Sequence, residues 1–274
     1  MRLLLYKIVL LILSACFVVG LGDNVSAGVI RISLKTTLSI RNGVIQTKIV
    51  ATNTGTDAAH RLRGVLHIFD RTIISDKIER LGVQKSHTFD MKIELPKDKK
   101  GIYPFIGEVR FHDANQHPFS ALSAGIFKVK SRLFMGVKGT ATNPSVKRKG
   151  KLEIRVTNTF TNPISMRATL YLPDALSASE SKQKIFIASK EAKDFSFDLN
   201  NRFGAGGAKY PAFCTLEYNV NGHHQTILMR SVIRIQEAEN WFIATKWFWL
   251  AGLPVLLIGW IGIGVWHRAI NSKF

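Results

Sequence analysis

Lys48 to Asp57 reads KIVATNTGTD, and Glu153 to Asn162 reads EIRVTNTFTN. The echo continues in order. RLRGVLHIFD at 61–70 answers SMRATLYLPD at 165–174, GIYPFIGEVRF at 101–111 answers AKYPAFCTLEY at 208–218, and DANQH at 113–117 answers NVNGH at 219–223. SAGIFKV closes the first copy and RSVIRI the second. The offset stays between 104 and 107 throughout, so the middle of the chain is a tandem repeat of two homologous units of about 100 residues.

Each unit reads as β-structure. Ile45, Thr47, Ile49 and Ala51 alternate with Gln46, Lys48 and Val50, and Leu152, Ile154 and Val156 alternate with Glu153 and Arg155. A period of two marks a strand with one buried face. Val65, His67, Phe69, Leu170 and Leu172 extend the pattern. Turn clusters separate the runs: Asn53-Thr54-Gly55, Asn158 to Pro163, Lys97 to Gly101 and Asn200 to Gly207. Asn221-Gly222 predicts a type I′ hairpin. Six or seven short strands per unit, with no helical period, predict a β-sandwich.

The Val50–Gly55 turn and the Tyr-Pro pairs at 103–104 and 210–211, each followed by a strand and a hairpin, resemble tandem bacterial immunoglobulin-like or fibronectin-type surface modules. The second copy departs from the turn motif, with Phe160 where the first has Gly55. Neither a disulfide nor a tryptophan of the antibody type is present. The resemblance implies a sandwich architecture and an extracytoplasmic setting, and architecture by itself does not fix function.

The two ends are apolar. Arg2 and Lys7 precede an apolar run from Ile8 to Leu21, and Val25-Ser26-Ala27 offers small residues for cleavage, the pattern of a signal peptide over 1–27. An uncleaved anchor and a lipidated Cys16, after Leu13-Ser14-Ala15, are the alternatives. From Trp247 to Trp266 no residue is charged, and these 20 residues make a helix of about 30 Å, one bilayer core. Trp241, Trp247, Trp249 and Trp266 lie near its edges as interfacial anchors, and Arg268 in the basic tail favours a cytoplasmic C-terminus. The expected order is signal peptide 1–27, sandwich 28–130, sandwich 131–236, stalk 237–246, transmembrane helix 247–266 and cytoplasmic tail 267–274. The body is then periplasmic or extracellular, held by a single-pass anchor.

Candidate chemistry is sparse. A cysteine-poor exported body folds by burial, and Cys214, among apolar neighbours, reads as a buried strand residue. Gly204 to Gly207 lacks the Lys and helix of a phosphate loop, and no nucleophile or metalloprotease motif occurs. His112 and His117 flank one hairpin turn and His223 and His224 the other; they are the best metal candidates, but where zinc wants three or four converging ligands each hairpin offers two, or three with Asp113, and they read more simply as exposed turn residues. Asp194 and Asp198, alternating with Phe195 and Phe197, read as solvent-facing, and Glu108 and Glu217 fall in corresponding strands of separate units.

The formal charge is +19, from 38 basic and 19 acidic residues, which suits anionic partners. The basic clusters are Lys97, Lys99 and Lys100 in one unit and Lys147, Arg148, Lys149 and Lys151 in the other. Export argues against nucleic acid. The expectation is a non-enzymatic, cofactor-free binding or scaffold protein of the cell envelope with a protein partner. The alternative is recognition of an anionic surface polysaccharide or lipid during envelope or exopolysaccharide assembly.

Overall fold

The computed structural model describes residues 28–130, residues 136–237 and seven positions between Thr245 and Gly264. The described chain is all-β. Its strands are β1 (Ile32–Arg41), β2 (Val44–Asn53), β3 (Ala59–Ile68), β4 (Arg71–Leu81), β5 (Ser86–Glu94), β6 (Gly101–His112), β7 (Pro118–Val129), β8 (Val137–Ala141), β9 (Ser145–Val146), β10 (Lys149–Asn158), β11 (Ile164–Tyr171), β12 (Leu176–Ala178), β13 (Lys182–Ile187), β14 (Ala192–Asn201), β15 (Lys209–Val220) and β16 (His223–Ile235). No helix among the described residues is long and apolar enough to cross a membrane. The expected signal peptide, the anchors Trp241, Trp247, Trp249, Trp266 and Arg268, and most of 247–266 lie outside the described residues.

Two compact units form. Of the described residues, the first holds those up to His67, Arg71–Leu95 and Gly107–Ser123. The second holds Ile68–Asp70, Pro96–Ile106 and the described residues from Ala124 onward. In the first unit β2 lies between β1 and β5 in an antiparallel sheet, and β4, β3, β6 and β7 run side by side. Ile45, Ile49, Leu62, Leu66, Phe89 and Val109 bury its core. In the second unit one sheet runs β12-β14-β10-β8 and the other β13-β11-β15-β16, with β9 on β16. Its core includes Leu152, Ile154, Val156, Phe197, Leu199, Leu216 and Ile233.

The alternation read from Ile45 to Ala51 and from Leu152 to Val156 is the observed burial pattern of β2 and β10. In β3 the phase differs from the expectation. Leu62, Leu66 and Ile68 face the core together with Val65, while His67 and Phe69 are only half-buried. Both parities of GVLHIF are apolar except at His67, so alternation could not select the face. The polar demand of His67, met by Glu108, goes with the opposite side.

The repeated Asn is what the two copies share. Asn53 is fully buried; its Nδ2 donates to Asp57 O at 2.7 Å and Leu81 O at 3.2 Å, and its Oδ1 accepts from the Gly55 amide at 3.0 Å. Asn158, also fully buried, donates to Asn162 O and Ala188 O, both at 2.9 Å, and accepts from the Phe160 amide at 3.0 Å. The next amide completes the match: Thr54 donates to Arg31 O and Thr159 to Gly136 O.

The Gly55/Phe160 mismatch has a steric cause. A Cβ on Gly55 would stand 2.1 Å from Val29 O and 2.6 Å from Arg31 N, because the chain entering β1 crosses directly over it. In the second copy the small residue is on the other partner. The Phe160 ring lies over Gly136, and a Cβ there would meet the ring at 2.0 Å. The first copy has its glycine in the turn, at Gly55, and the second has it across from the turn, at Gly136.

The two Asn-Gly turns follow sequence chemistry, whereas Phe69, Asp70, Gln84, Gln116 and Lys190 take positive φ in turns where the residue itself is not glycine. Asn42-Gly43 and Asn221-Gly222 both have positive φ at both residues, as type I′ hairpins require. Phe69 and Asp70, joining β3 to β4, adopt φ of 52° and 59° without any glycine. Left-handed backbone is rare for a bulky residue and is held only where surroundings impose it. Gly55→Ala is expected to destabilise the first unit by roughly 1–3 kcal/mol, because backbone and not a mobile side chain must yield. Phe160→Ala removes packing alone and leaves the 136–159 hydrogen bond in place. Urea unfolding with amide exchange at Thr54 and Thr159 measures both.

Candidate functional site

The second unit presents one polar constellation, on the outward face of β11, β15 and β16. The antiparallel register sets Lys184, Arg167, Glu217 and Thr226 side by side across four strands. Arg167 Nη2 lies 3.1 Å from the Asp70 carboxylate and 3.6 Å from Glu217 Oε1. His224 Nε2 lies 3.1 Å from Glu217 Oε2. Thr226 Oγ1 donates to Ile102 O at 2.9 Å. The His224 ring stacks on Tyr103 at 4.4 Å with planes 4° apart, and Tyr103 meets Phe69 edge-on at 4.9 Å. Phe127 closes this cluster against Phe69 at 5.5 Å, with Lys99 Nζ 6.0 Å above the Phe69 ring. Gly101 pairs with His224 at φ 143°, and a Cβ there would collide with His224 O at 2.2 Å.

The charges answer to this geometry. Burial works against the Arg167 guanidinium, but Glu217 and Asp70 outweigh it and raise its pKa. Burial, then Glu217 and Asp70, push the Tyr171 phenol up to about 12 and keep it neutral. The constellation is a closed set of mutually satisfied groups, and its chemistry is that of a structural tie.

The first unit carries its own pair. Glu108, 5% exposed on β6, accepts from Arg110 Nε at 2.9 Å and Nη2 at 3.2 Å, and its Oε2 lies 3.2 Å from His67 Nε2. The His67 Nδ1 lies 3.1 Å from Thr72 Oγ1. Burial alone would raise the Glu108 carboxyl; the hydrogen bonds and charges of His67 and Arg110 overcome it, and the pKa falls below its ordinary 4.5. The only sequence signal was the spacing of Glu108 and Arg110, two apart on one strand face.

The metal candidates do not converge. His112 ends β6, and His117 stays with its neighbour Asp113, its amide donating to Oδ1 at 2.8 Å. His223 opens β16, while His224 is committed to Glu217 and Tyr103. Among the described residues, no group of three or more His, Cys, Asp or Glu is placed to hold a metal ion. Cys214 is buried and free, and burial pushes its thiol up to about 12, far from a neutral-pH nucleophile. Asp194 and Asp198 are exposed and pair with Arg155 at 3.1 Å and Lys151 at 4.0 Å.

The basic clusters do not form one patch. Lys100 O accepts from the His224 amide at one end of β16, whereas Ser145, beside Lys147, Arg148, Lys149 and Lys151, pairs with Arg234 at the other. Ten residues of strand separate the two, about 33 Å. Lys97 is exposed near the first end, and Lys99 is drawn to Asp98 and Phe69. An open depression of about 590 Å³ lies on the outer face of β8, β10 and β14, where Glu153, Arg155 and Asp194 meet. The Arg155–Asp194 pair crosses it, so its charge is largely internally balanced.

No protein-family model matches this chain, and no curated protein matches it. Solved structures give distant all-β neighbours. Salmonella alpha-2-macroglobulin reacted with methylamine aligns at TM-score 0.30 and 10% identity, over 75% of this chain and 16% of that one. The ASH/PapD-like domain of human CEP192 aligns at TM-score 0.30 and 14% identity, over 38% and 87%. A protein of unknown function from Porphyromonas gingivalis W83 aligns at TM-score 0.28 and 11% identity, over 74% and 98%. The chain thus spans under a fifth of the macroglobulin's length. These distant likenesses identify no one characterised protein.

Glu108 makes acid stability the accessible readout. Its folded pKa lies below the unfolded one, so the stabilisation is complete above about 4.5 and is lost as pH falls through the lower folded value. Glu108→Gln is expected to lower stability at neutral pH and to flatten the acid limb of the first unit's pH profile. Urea midpoints taken from about pH 3 to about pH 7 decide it.

Proposed function

We propose that the chain is a membrane-anchored, extracytoplasmic binding or scaffold protein of the cell envelope, presenting two immunoglobulin-like domains to a protein partner. It acts by binding and not by catalysis. The observation that carries this reading is the state of the polar groups. The best constellation of titratable side chains, around Arg167, Glu217 and His224, is consumed in internal pairs. What the sandwich of the second unit leaves outward is sheet edge, including the exposed Phe186 on the terminal strand β13. Edges of this kind recognise extended peptide segments by strand addition. The flanking sequence supports the setting: a leader pattern over 1–27 and an uncharged, tryptophan-edged run over 247–266.

Recognition of an anionic glycan or lipid would want a focused basic groove, and Lys97–Lys100 and Lys147–Lys151 sit at opposite ends of β16. The test is made in native envelopes. The chain is expected to resist carbonate extraction, to expose its body to protease added from outside the cytoplasmic membrane, and to crosslink in constant ratio to one envelope protein. Release by carbonate, or a protected body, sinks the anchored topology. A membrane-held chain that retains acidic glycan and no protein replaces this reading with the glycan one.

A further inference from the structure

The sheet β13-β11-β15-β16 ends on β13, whose sequence is KQKIFI. Ile185 and Ile187 face the core. On the opposite face Lys182, Lys184 and Phe186 stand exposed, and Phe186 keeps 59% of its surface in solvent, an unusual state for a phenylalanine on an edge strand. The Lys193 ammonium donates to Phe186 O at 3.2 Å, so this carbonyl points away from β11. Backbone orientation alternates along an antiparallel pair, so Lys182 and Lys184 share it. Ser181, in the other phase, turns its carbonyl inward to the Leu170 amide at 2.8 Å. The Gln183 side-chain amide donates to Ser196 O on β14 at 3.0 Å. The edge therefore offers a fixed comb of N–H and C=O groups from Lys182 to Phe186, capped by one exposed lysine that an incoming amide can replace.

Charge selects the occupant. Lysines are a standard guard of open edges against self-association. The symmetric antiparallel pairing of two copies that keeps residues 182–186 in the ladder would set Lys184 against its own copy, a like-charge cross-strand pair. Neither Lys182 nor Lys184 is engaged in an ion pair among the described residues. Arg167, Lys184's partner in the register, is already held by Asp70 and Glu217.

We propose that the free edge of β13 is the docking strand for an extended acidic segment of the partner, which adds to the sheet with carboxylates opposite Lys182 and Lys184 and an apolar side chain against Phe186. This rests on the binding-protein reading above and specifies the chemistry of its partner. Main-chain hydrogen bonds supply the attachment, and alternate side chains supply the choice.

The test uses the full chain in detergent micelles and a fluorescein-labelled heptapeptide, Thr-Ile-Thr-Glu-Thr-Glu-Thr, read by fluorescence anisotropy. Its control replaces both Glu by Lys. Two cross-strand charge contacts turned from attraction to repulsion predict about a tenfold preference for the acidic peptide. The double variant Lys182→Glu/Lys184→Glu, on an exposed face with an unchanged core, is expected to invert that preference. Equal binding of the two peptides, or a preference that survives the charge reversal, overturns the proposal. If the edge fails this test while an envelope protein still crosslinks, the docking strand is wrong and the binding reading stands. If the edge passes while the native envelope yields no protein, the converse holds.

Discussion

A buried asparagine amide holds together the turn on which each sandwich depends. Asn53 and Asn158 each spend two donors and one acceptor on backbone that would otherwise be orphaned in the interior. Such groups are costly when left unpaired and nearly neutral when satisfied, so the side chain is fixed by what surrounds it. Through this residue the end of β2 is tied to Leu81 ahead of β5, and the end of β10 to Ala188 ahead of β14. The neighbouring threonine amide ties in the chain entering β1 or β8. Aspartate could not replace the asparagine, because it lacks the two N–H groups that reach those carbonyls.

The two inward glutamates are satisfied in the same economical way. Buried Glu108 and half-buried Glu217 would each be a liability as lone carboxylates, and each has a histidine and an arginine at hand. In both networks the carboxylate is shared between a histidine and an arginine of the fold itself. Surface lysine is the exception: it is abundant and largely unpaired, and at Lys182 and Lys184 it flanks an exposed phenylalanine on an open sheet edge.

The sequence was legible where local rules act alone. Alternation placed Ile45, Ile49, Leu152 and Ile154 inside, Asn221-Gly222 made its hairpin, and the TNT echo announced a shared turn before its hydrogen bonds were known. It was illegible where two parities were equally apolar, as in β3, where His67 and not hydrophobicity separates the faces. The Phe69-Asp70 turn carried no turn signal at all. Its left-handed backbone is maintained by Tyr103, Phe127 and Arg167, residues far away in sequence.

Period-two hydrophobicity and turn residues therefore determined the all-β class, because these depend on neighbours along the chain. Whether glycine stands in the turn, as Gly55, or across from it, as Gly136 beneath Phe160, which histidine meets which glutamate, and which strand ends a sheet were decided only by tertiary structure. Those outcomes depend on steric exclusion and charge pairing between segments that the linear order keeps apart.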